Sequence, residues 1–262
     1  RQTNILPPSK APKMLQSIAS QFPETYCLTD TGFRGALGLP VLQYPSELKP
    51  VSKKLHIPEI PASHVAAIAF TSGSTGTPQP HLKSWSSMVR IARNTGHRLI
   101  PDDMKEISIV ATVPPQHMYG LETSIMLPLQ HKGVLHGGRP FFPVDIRDAL
   151  ETVPADQILI TTPIHLKACI ESSVRFPKVS LIISATAPLS KKLAESAERS
   201  FDTRVFEIYG CTEAGSLATR QTTKSNAWEL LGETKLTGNN DQCYIEATYL
   251  PQPIKLPDII KN

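Results

Sequence analysis

The sequence predicts an α/β fold, layered α/β/α around a mainly parallel sheet, with a small β-rich C-terminal part. Two observations carry this. Apolar, β-branched runs recur at Val65–Thr71, Ile107–Val113, Gln157–Thr162, Val179–Ala185 and Arg204–Tyr209. Helical stretches separate them, among them SWSSMVRIARNTGHRL, PIHLKACIESSVR and PLSKKLAESAERSF. Strands that are apolar throughout, alternating with helices, fit a parallel sheet covered on both faces.

Taken in order, Lys13–Phe22 has helical spacing of Met14, Leu15, Ile18, Ala19 and Phe22. From Pro40 to Pro61 five prolines fall among polar residues, which predicts an extended connector. The strand–helix rhythm then runs to Tyr209. After Trp228 the helical pattern stops, and WELLGETKL and QCYIEATYL predict short, antiparallel strands in a separate layer. The expected organisation is a helix/strand and proline-rich connector over 1–61, an α/β core over 62–225, and a β-rich subdomain over 226–262.

The bulk numbers narrow the class. The 262 residues are 40% hydrophobic and 19% charged, a globular composition. The net charge of +4 comes from scattered basic residues, which does not imply nucleic acid as a partner. Cys27, Cys169, Cys211 and Cys243 show no metal-binding spacing and read as isolated thiols in a reducing compartment. No apolar run approaches the roughly 18 residues of a membrane span, and no signal-peptide pattern opens the chain. The expectation is a cytoplasmic protein. An opening at Arg1 without Met, and a close inside the apolar LPDIIKN, lead us to expect a longer parent.

The most informative stretch is AFTSGSTGTPQPHLKSW, Ala69 to Trp85. Thr71-Ser72-Gly73-Ser74-Thr75-Gly76-Thr77 buries almost nothing, and ordering it costs backbone entropy, most of all at glycine. Placed between the end of an apolar strand and a helix, such a run suits an anion. Glycines let backbone N–H groups turn inward, hydroxyls add donors, and a helix adds a positive end. The alternative is a surface turn. G-x-x-x-x-G-K-S/T is absent, so this is not a Walker loop, and without G-x-G-x-x-G a Rossmann oxidoreductase is set aside.

FTSGSTGTPQP resembles the phosphate loop of the adenylate-forming (AMP-binding) superfamily, which includes acyl- and aryl-CoA synthetases, and three further segments follow in that family's order. PPQHMYGLETSIMLPLQHKG (Pro114–Gly133) resembles its segment beside the acid substrate. SATAPLS (Ser184–Ser190) resembles its G-G-A-P-L-S turn, and EIYGCTEAG (Glu207–Gly215) resembles its Y-G-x-T-E signature. The resemblance implies a ligase that joins a carboxylic acid to the α-phosphate of ATP, releases pyrophosphate and forms an acyl-adenylate. The acyl group then passes to a thiol of coenzyme A or of a phosphopantetheine on an acyl carrier protein.

By that resemblance Thr71, Ser72, Gly73, Ser74, Thr75 and Gly76 would cradle the phosphates of ATP. Thr186, Ala187 and Gly210 would line the nucleotide, which leaves as AMP. Tyr209 would stack on adenine, or else simply end a core strand, and Asp258 would bind the ribose. Glu213, with Thr75, would hold Mg²⁺, a hard cation suited to carboxylate and phosphate oxygens; alone, Glu213 reads as a solvated loop carboxylate. Thr212 would reach the phosphates. His117 would lie beside the acid, or be an ordinary hydrogen-bonded loop histidine. Gln116-His117 stands where amino-acid-activating members carry a phenylalanine–aspartate pair. With no carboxylate to meet an ammonium, a fatty, aromatic or other non-amino acid is expected.

The chain also departs from the family. Its loop continues Pro78-Gln79-Pro80 instead of P-K-G, which removes a cation that Lys83 would partly replace. Ala185-Thr186 replaces G-G. No counterpart of the family's lysine-bearing C-terminal domain is expected within these 262 residues, so this chain alone is expected to be inactive or weakly active. The competing reading is a nucleotide-binding, non-catalytic core that serves as a binding or scaffold module.

Overall fold

The computed structural model describes residues 2–7, 9, 11–29, 38–45, 47, 58–71, 79–154, 156–239 and 242–256. The chain begins with β1 (Asn4–Leu6), α1 (Pro12–Gln21), β2 (Cys27–Thr29) and β3 (Val41–Gln43). β4 (Val65–Thr71), β5 (Gln79–Ser84) and α2 (Trp85–Leu99) follow. β6 (Ile107–Ala111) leads through α3 (Met118–Gly120), a π-helical turn (Leu121–Met126) and α4 (Leu127–Gln130) to β7 (Gly133–Leu135). Then come α5 (Pro143–Thr152), β8 (Gln157–Thr161), α6 (Pro163–Glu171), β9 (Leu181–Ser184), α7 (Lys191–Phe201) and β10 (Val205–Cys211). The last elements are β11 (Gly215–Arg220), β12 (Glu229–Leu230), β13 (Lys235–Asn239), β14 (Gln242–Glu246) and β15 (Ile254–Lys255).

Among the described residues the largest sheet has seven strands in the order β12-β11-β10-β9-β8-β6-β7. From β7 to β10 all neighbours are parallel, whereas β11 and β12 are added antiparallel. Alternate residues of each strand feed opposite faces. On one face Val110, Leu159, Ile182 and Val205 pack with Ile146 and Leu150 of α5, Leu166 of α6 and Phe201 of α7. On the other, Ile109, Ile158, Ile160 and Ile183 pack with Leu99 of α2 and Leu127 of α4. The expected three-layer α/β/α core with a mainly parallel sheet is therefore present. The helices start where their sequences direct: Ser84 Oγ accepts from the Ser87 N–H (3.2 Å) and Ser190 Oγ from the Leu193 N–H (3.3 Å).

Three details correct the sequence reading. First, β4 is not a strand of the parallel sheet. It is the middle strand of a small sheet, parallel to β1 and antiparallel to β5. Its run VAAIAFT is apolar throughout because both faces are covered. Ala67 and Ala69 meet Met88 and Ala92 of α2, and Ile68 and Phe70 meet Ile18 of α1. Second, Gln79 and Pro80 are strand, not loop. They pair with Thr71 and Phe70, so the glycine-hydroxyl run joins two strands of a hairpin and leads into β5 before the helix. Proline is tolerated because β5 is an edge strand, where a missing N–H breaks no ladder bond. Third, Glu229–Leu230 joins the large sheet through β11 instead of the C-terminal layer. That layer, β13-β14-β15, is antiparallel as expected, and its Cys243 and Ile245 pack on Ala214 and Leu217 of the β10–β11 hairpin. Among the described residues no helix is long and apolar enough to cross a membrane.

Candidate active site

The quoted motifs converge at one end of the sheets. Each described part follows the carboxyl end of a strand: Thr71 ends β4, Pro114–His117 follow β6, Thr186 and Ala187 follow β9, and Tyr209–Glu213 end β10 and turn towards β11. In open α/β sheets ligands bind beyond the carboxyl ends of the strands. Ser72, Gly73, Ser74, Thr75, Gly76 and Asp258 lie outside the described residues.

Glu213 sits at the tip of a tight hairpin. Cys211 pairs with Gly215, so Thr212, Glu213 and Ala214 form the loop, and Gly215 takes φ +81°. This is a three-residue hairpin closed by a left-handed glycine. A Cβ on Gly215 would lie 2.4 Å from Glu122 Oε1 and 2.6 Å from Ile91 Cδ1, so conformation and space both demand glycine. Gly210 is held by a similar crowding, since a Cβ there would lie 2.3 Å from the Gly215 carbonyl oxygen. The Glu213 side chain is 42% exposed, and its Oε1 stands 3.6 Å from His81 Nε2. The same nitrogen is 3.1 Å from Thr71 Oγ1. His81 thus spans the start of the glycine-hydroxyl run and the Glu213 carboxylate. Burial lowers its pKa, against the pull of Glu213, so the neutral imidazole is favoured.

Lys83, two residues on, is buried, and its Nζ donates to the Glu213 carbonyl oxygen at 2.9 Å. Its ammonium supports the backbone of the 211–215 turn, which is a different task from the loose replacement for a phosphate-loop lysine expected from sequence. Burial lowers the Lys83 pKa, and the neighbouring carboxylates of Glu122 and Glu213 oppose that shift.

The Thr186 backbone adopts φ +77°. A β-branched residue in the left-handed region is uncommon and costs energy. It occupies the place of a glycine in the turn that SATAPLS resembles, so the glycine-type backbone survives without the glycine. Thr186 and Ala187 are exposed at the end of β9, next to β10. Leu189, two residues beyond, donates its N–H to Glu207 Oε1 at 2.9 Å. Glu207 Oε2 accepts from Arg220 Nε (2.8 Å) and Thr222 Oγ1 (3.0 Å), and Arg220 Nη2 stands 2.7 Å away in the same ion pair. The Arg220 guanidinium lies 4.3 Å from the centre of the Trp228 ring, which tilts against Tyr209 at 5.6 Å between centroids. Tyr209 is therefore backed at the end of β10 by a chain of polar and aromatic contacts that runs from the buried Glu207 to the exposed Trp228.

His117 is exposed at the start of α3, and no hydrogen bond joins its ring to the other candidates among the described residues. Its neighbour Tyr119 is tightly placed: the hydroxyl donates to the carbonyls of Ile183 (2.8 Å) and Thr161 (3.2 Å), bridging the carboxyl ends of β9 and β8. Sequence reasoning missed His81, Glu122, Glu207, Arg220 and Trp228. Lone polar residues of this kind acquire meaning only from partners distant in sequence.

With this geometry in place, comparisons with known proteins agree on its kind. A family model described as AMP-binding enzyme matches residues 11–250. A 4-coumarate–CoA ligase of Halorhodospira halophila is 31% identical over 163 residues, which cover 61% of this chain and 39% of that protein. A sulfoacetate–CoA ligase of Cupriavidus necator is 28% identical over 185 residues, 62% of this chain and 34% of the relative. The fold matches ATP-bound MatB from Rhodopseudomonas palustris with a TM-score of 0.72 at 18% identity, covering 92% of this chain and 54% of that one. It matches the O-succinylbenzoate coenzyme A synthetase MenE of Bacillus subtilis, in complex with ATP and magnesium ion, with a TM-score of 0.71 at 17% identity, covering 90% and 54%. The chain spans less than two-fifths of the length of these two ligase relatives and about half of these solved structures.

Proposed function

This chain belongs to the AMP-binding enzyme family, and we propose that the protein joins a small, non-amino carboxylic acid to the α-phosphate of ATP. Pyrophosphate leaves, and the acyl group of the resulting acyl-adenylate passes to the thiol of coenzyme A. The pantetheine of an acyl carrier protein would serve the same chemistry. The observation that supports this reading is the contact of Thr71, His81 and Glu213 across two sheets, which brings Thr71, the first residue of the glycine-hydroxyl run, close to the Y-G-x-T-E turn.

In this reading Thr71 and the residues 72–76 bind the β- and γ-phosphates, and Thr212 reaches them from the opposite turn. Tyr209, braced by Trp228, offers its ring to adenine, with Thr186, Ala187 and Gly210 along the nucleotide and Asp258 on the ribose. His117 lies on the acid's side. The half-exposed Glu213 carboxylate suits Mg²⁺. Among the described residues no group of three or more His, Cys, Asp or Glu could hold a metal, so Glu213, with Thr75, would share the ion with phosphate oxygens of the nucleotide. When bound, the ion would offset the charge that develops on the phosphates. The relatives' names put aromatic and sulfonated carboxylic acids first among candidates, with coenzyme A as acceptor.

Pyrophosphate release by the protein, screened over aromatic, sulfonated and aliphatic acids, tests the proposal. Release should require both an acid and Mg²⁺. Nucleotide binding without acid-dependent release would instead identify a binding module. Trp228→Ala gives a narrower check. Losing the ring that backs Tyr209 and stacks on Arg220 removes contacts worth about 0.5–1 kcal/mol, so the KM for ATP should rise roughly two- to fivefold with kcat nearly constant. An unchanged KM would show that Tyr209 does not depend on this brace.

A further inference from the structure

A buried lysine and a buried glutamate hold the Glu213 turn from its inner side. Glu122 lies on the π-helical turn, a local irregularity that often marks functional sites. Its side chain is 3% exposed. Oε2 accepts from the Ser216 N–H at 2.9 Å and from Ser216 Oγ at 2.6 Å. Oε1 has no hydrogen-bond partner among the described residues and lies 2.4 Å from where a Cβ on Gly215 would be. Lys83 grips the tip of the same turn through the Glu213 carbonyl. Burial raises the Glu122 pKa and lowers that of Lys83, and each charge opposes the shift of the other. Keeping two ionisable groups out of water is costly, and an apolar pair of similar volume is often as stable or more stable. A plain packing role explains these two groups poorly.

We propose that Lys83 and Glu122 are positioning residues that clamp the 211–216 turn at its tip and at its Ser216 end and so fix where the Glu213 carboxylate meets the metal–nucleotide complex. The clamp links three segments: the strand leaving the glycine-hydroxyl run, the π turn that follows His117, and the Y-G-x-T-E hairpin. It rests on the proposed function only in what the turn is for; the clamp itself is a property of these contacts.

The test uses the full-length protein. Lys83→Met alone removes the bond to the Glu213 carbonyl and the positive charge that favours the buried Glu122 carboxylate, and should lower the melting temperature. Lys83→Met combined with Glu122→Gln removes both charges, keeps an acceptor for Ser216, and should recover most of that loss. In the double variant the KM for MgATP should nevertheless stay about five- to tenfold raised, with the KM for the acid unchanged. Backbone amides of 212–216 should exchange with deuterium roughly tenfold faster. Ser216→Ala, which removes the hydroxyl bond to Glu122 and keeps the backbone N–H bond, should show a smaller rise in exchange, roughly two- to threefold, in a normally folded protein. Recovered melting together with wild-type MgATP KM and wild-type exchange overturns the proposal, as does wild-type exchange in Ser216→Ala. If the unaltered protein releases no pyrophosphate with any acid, the ligase reading falls, while the exchange measurements still decide whether the clamp exists.

Discussion

Glu213→Gln is expected to lower adenylation about tenfold or more and to leave the melting temperature of the ligand-free protein within roughly 2 °C. The substitution keeps the size of the side chain and replaces an anionic oxygen with an amide, a poorer ligand for Mg²⁺. The fold has little to lose. The carboxylate is 42% exposed, and its ion-pair partner, His81, stands 3.6 Å away. His81 is itself pushed towards its neutral form by burial, and pairs this exposed contribute little. The bond from Lys83 reaches the backbone carbonyl of Glu213, so the turn keeps that support in the variant. Acid-dependent pyrophosphate exchange and a thermal melt, run on the same preparation, decide the matter. A protein that melts much lower while its folded fraction adenylates normally would make Glu213 structural.

Much of the fold was legible because burial on both faces forces continuous apolar runs, and β6, β8, β9 and β10 show them. The same rule explains the misplacement of β4. Covered by α1 and α2, β4 meets the pattern of a parallel strand without being in the parallel sheet. β11 was not legible, since GSLATR buries Ser216 and Thr219 alongside Leu217 and Ala218. Nothing in the bare sequence separates a hydroxyl bonded to Glu122 from one in water.

Lys83 is the sharpest case. In β5 the usual order is inverted, with Leu82 64% exposed and Lys83 4% exposed, because the inner face of this edge strand meets the polar hairpin of Glu213. Polar-out patterning would turn the strand over. The motif residues were readable as a set through resemblance. Their supports, Glu122, Glu207, Arg220 and Trp228, lie outside the quoted motif positions or look ordinary inside them. They become visible once the chain brings position 122 to 216 and position 207 to 220.

Removing the largest of these supports should produce the largest loss of stability. Glu207 is buried and accepts three hydrogen bonds, from the Leu189 N–H, Arg220 Nε and the Thr222 hydroxyl, and its ion pair with Arg220 also includes Nη2. Glu207→Ala strands a guanidinium whose side chain is only 17% exposed. Breaking a buried pair from one side costs about 3–5 kcal/mol. At a few degrees per kcal/mol for a domain of this size, the melting temperature should fall on the order of 10 °C. Function should fall with it in the fraction that stays folded. Leu189 anchors the turn that holds Thr186 in its left-handed conformation, and Arg220 supports the ring behind Tyr209. Glu207→Ala combined with Arg220→Met, which leaves no unpaired charge, should regain part of the melting temperature while the KM for ATP stays raised. Thermal melts of the two variants, with ATP titrations on each, measure both effects. A single variant that melts within about 2 °C of the unaltered protein would show that solvent or another partner takes over the Arg220 charge, and that the turn at Leu189 stands without Glu207.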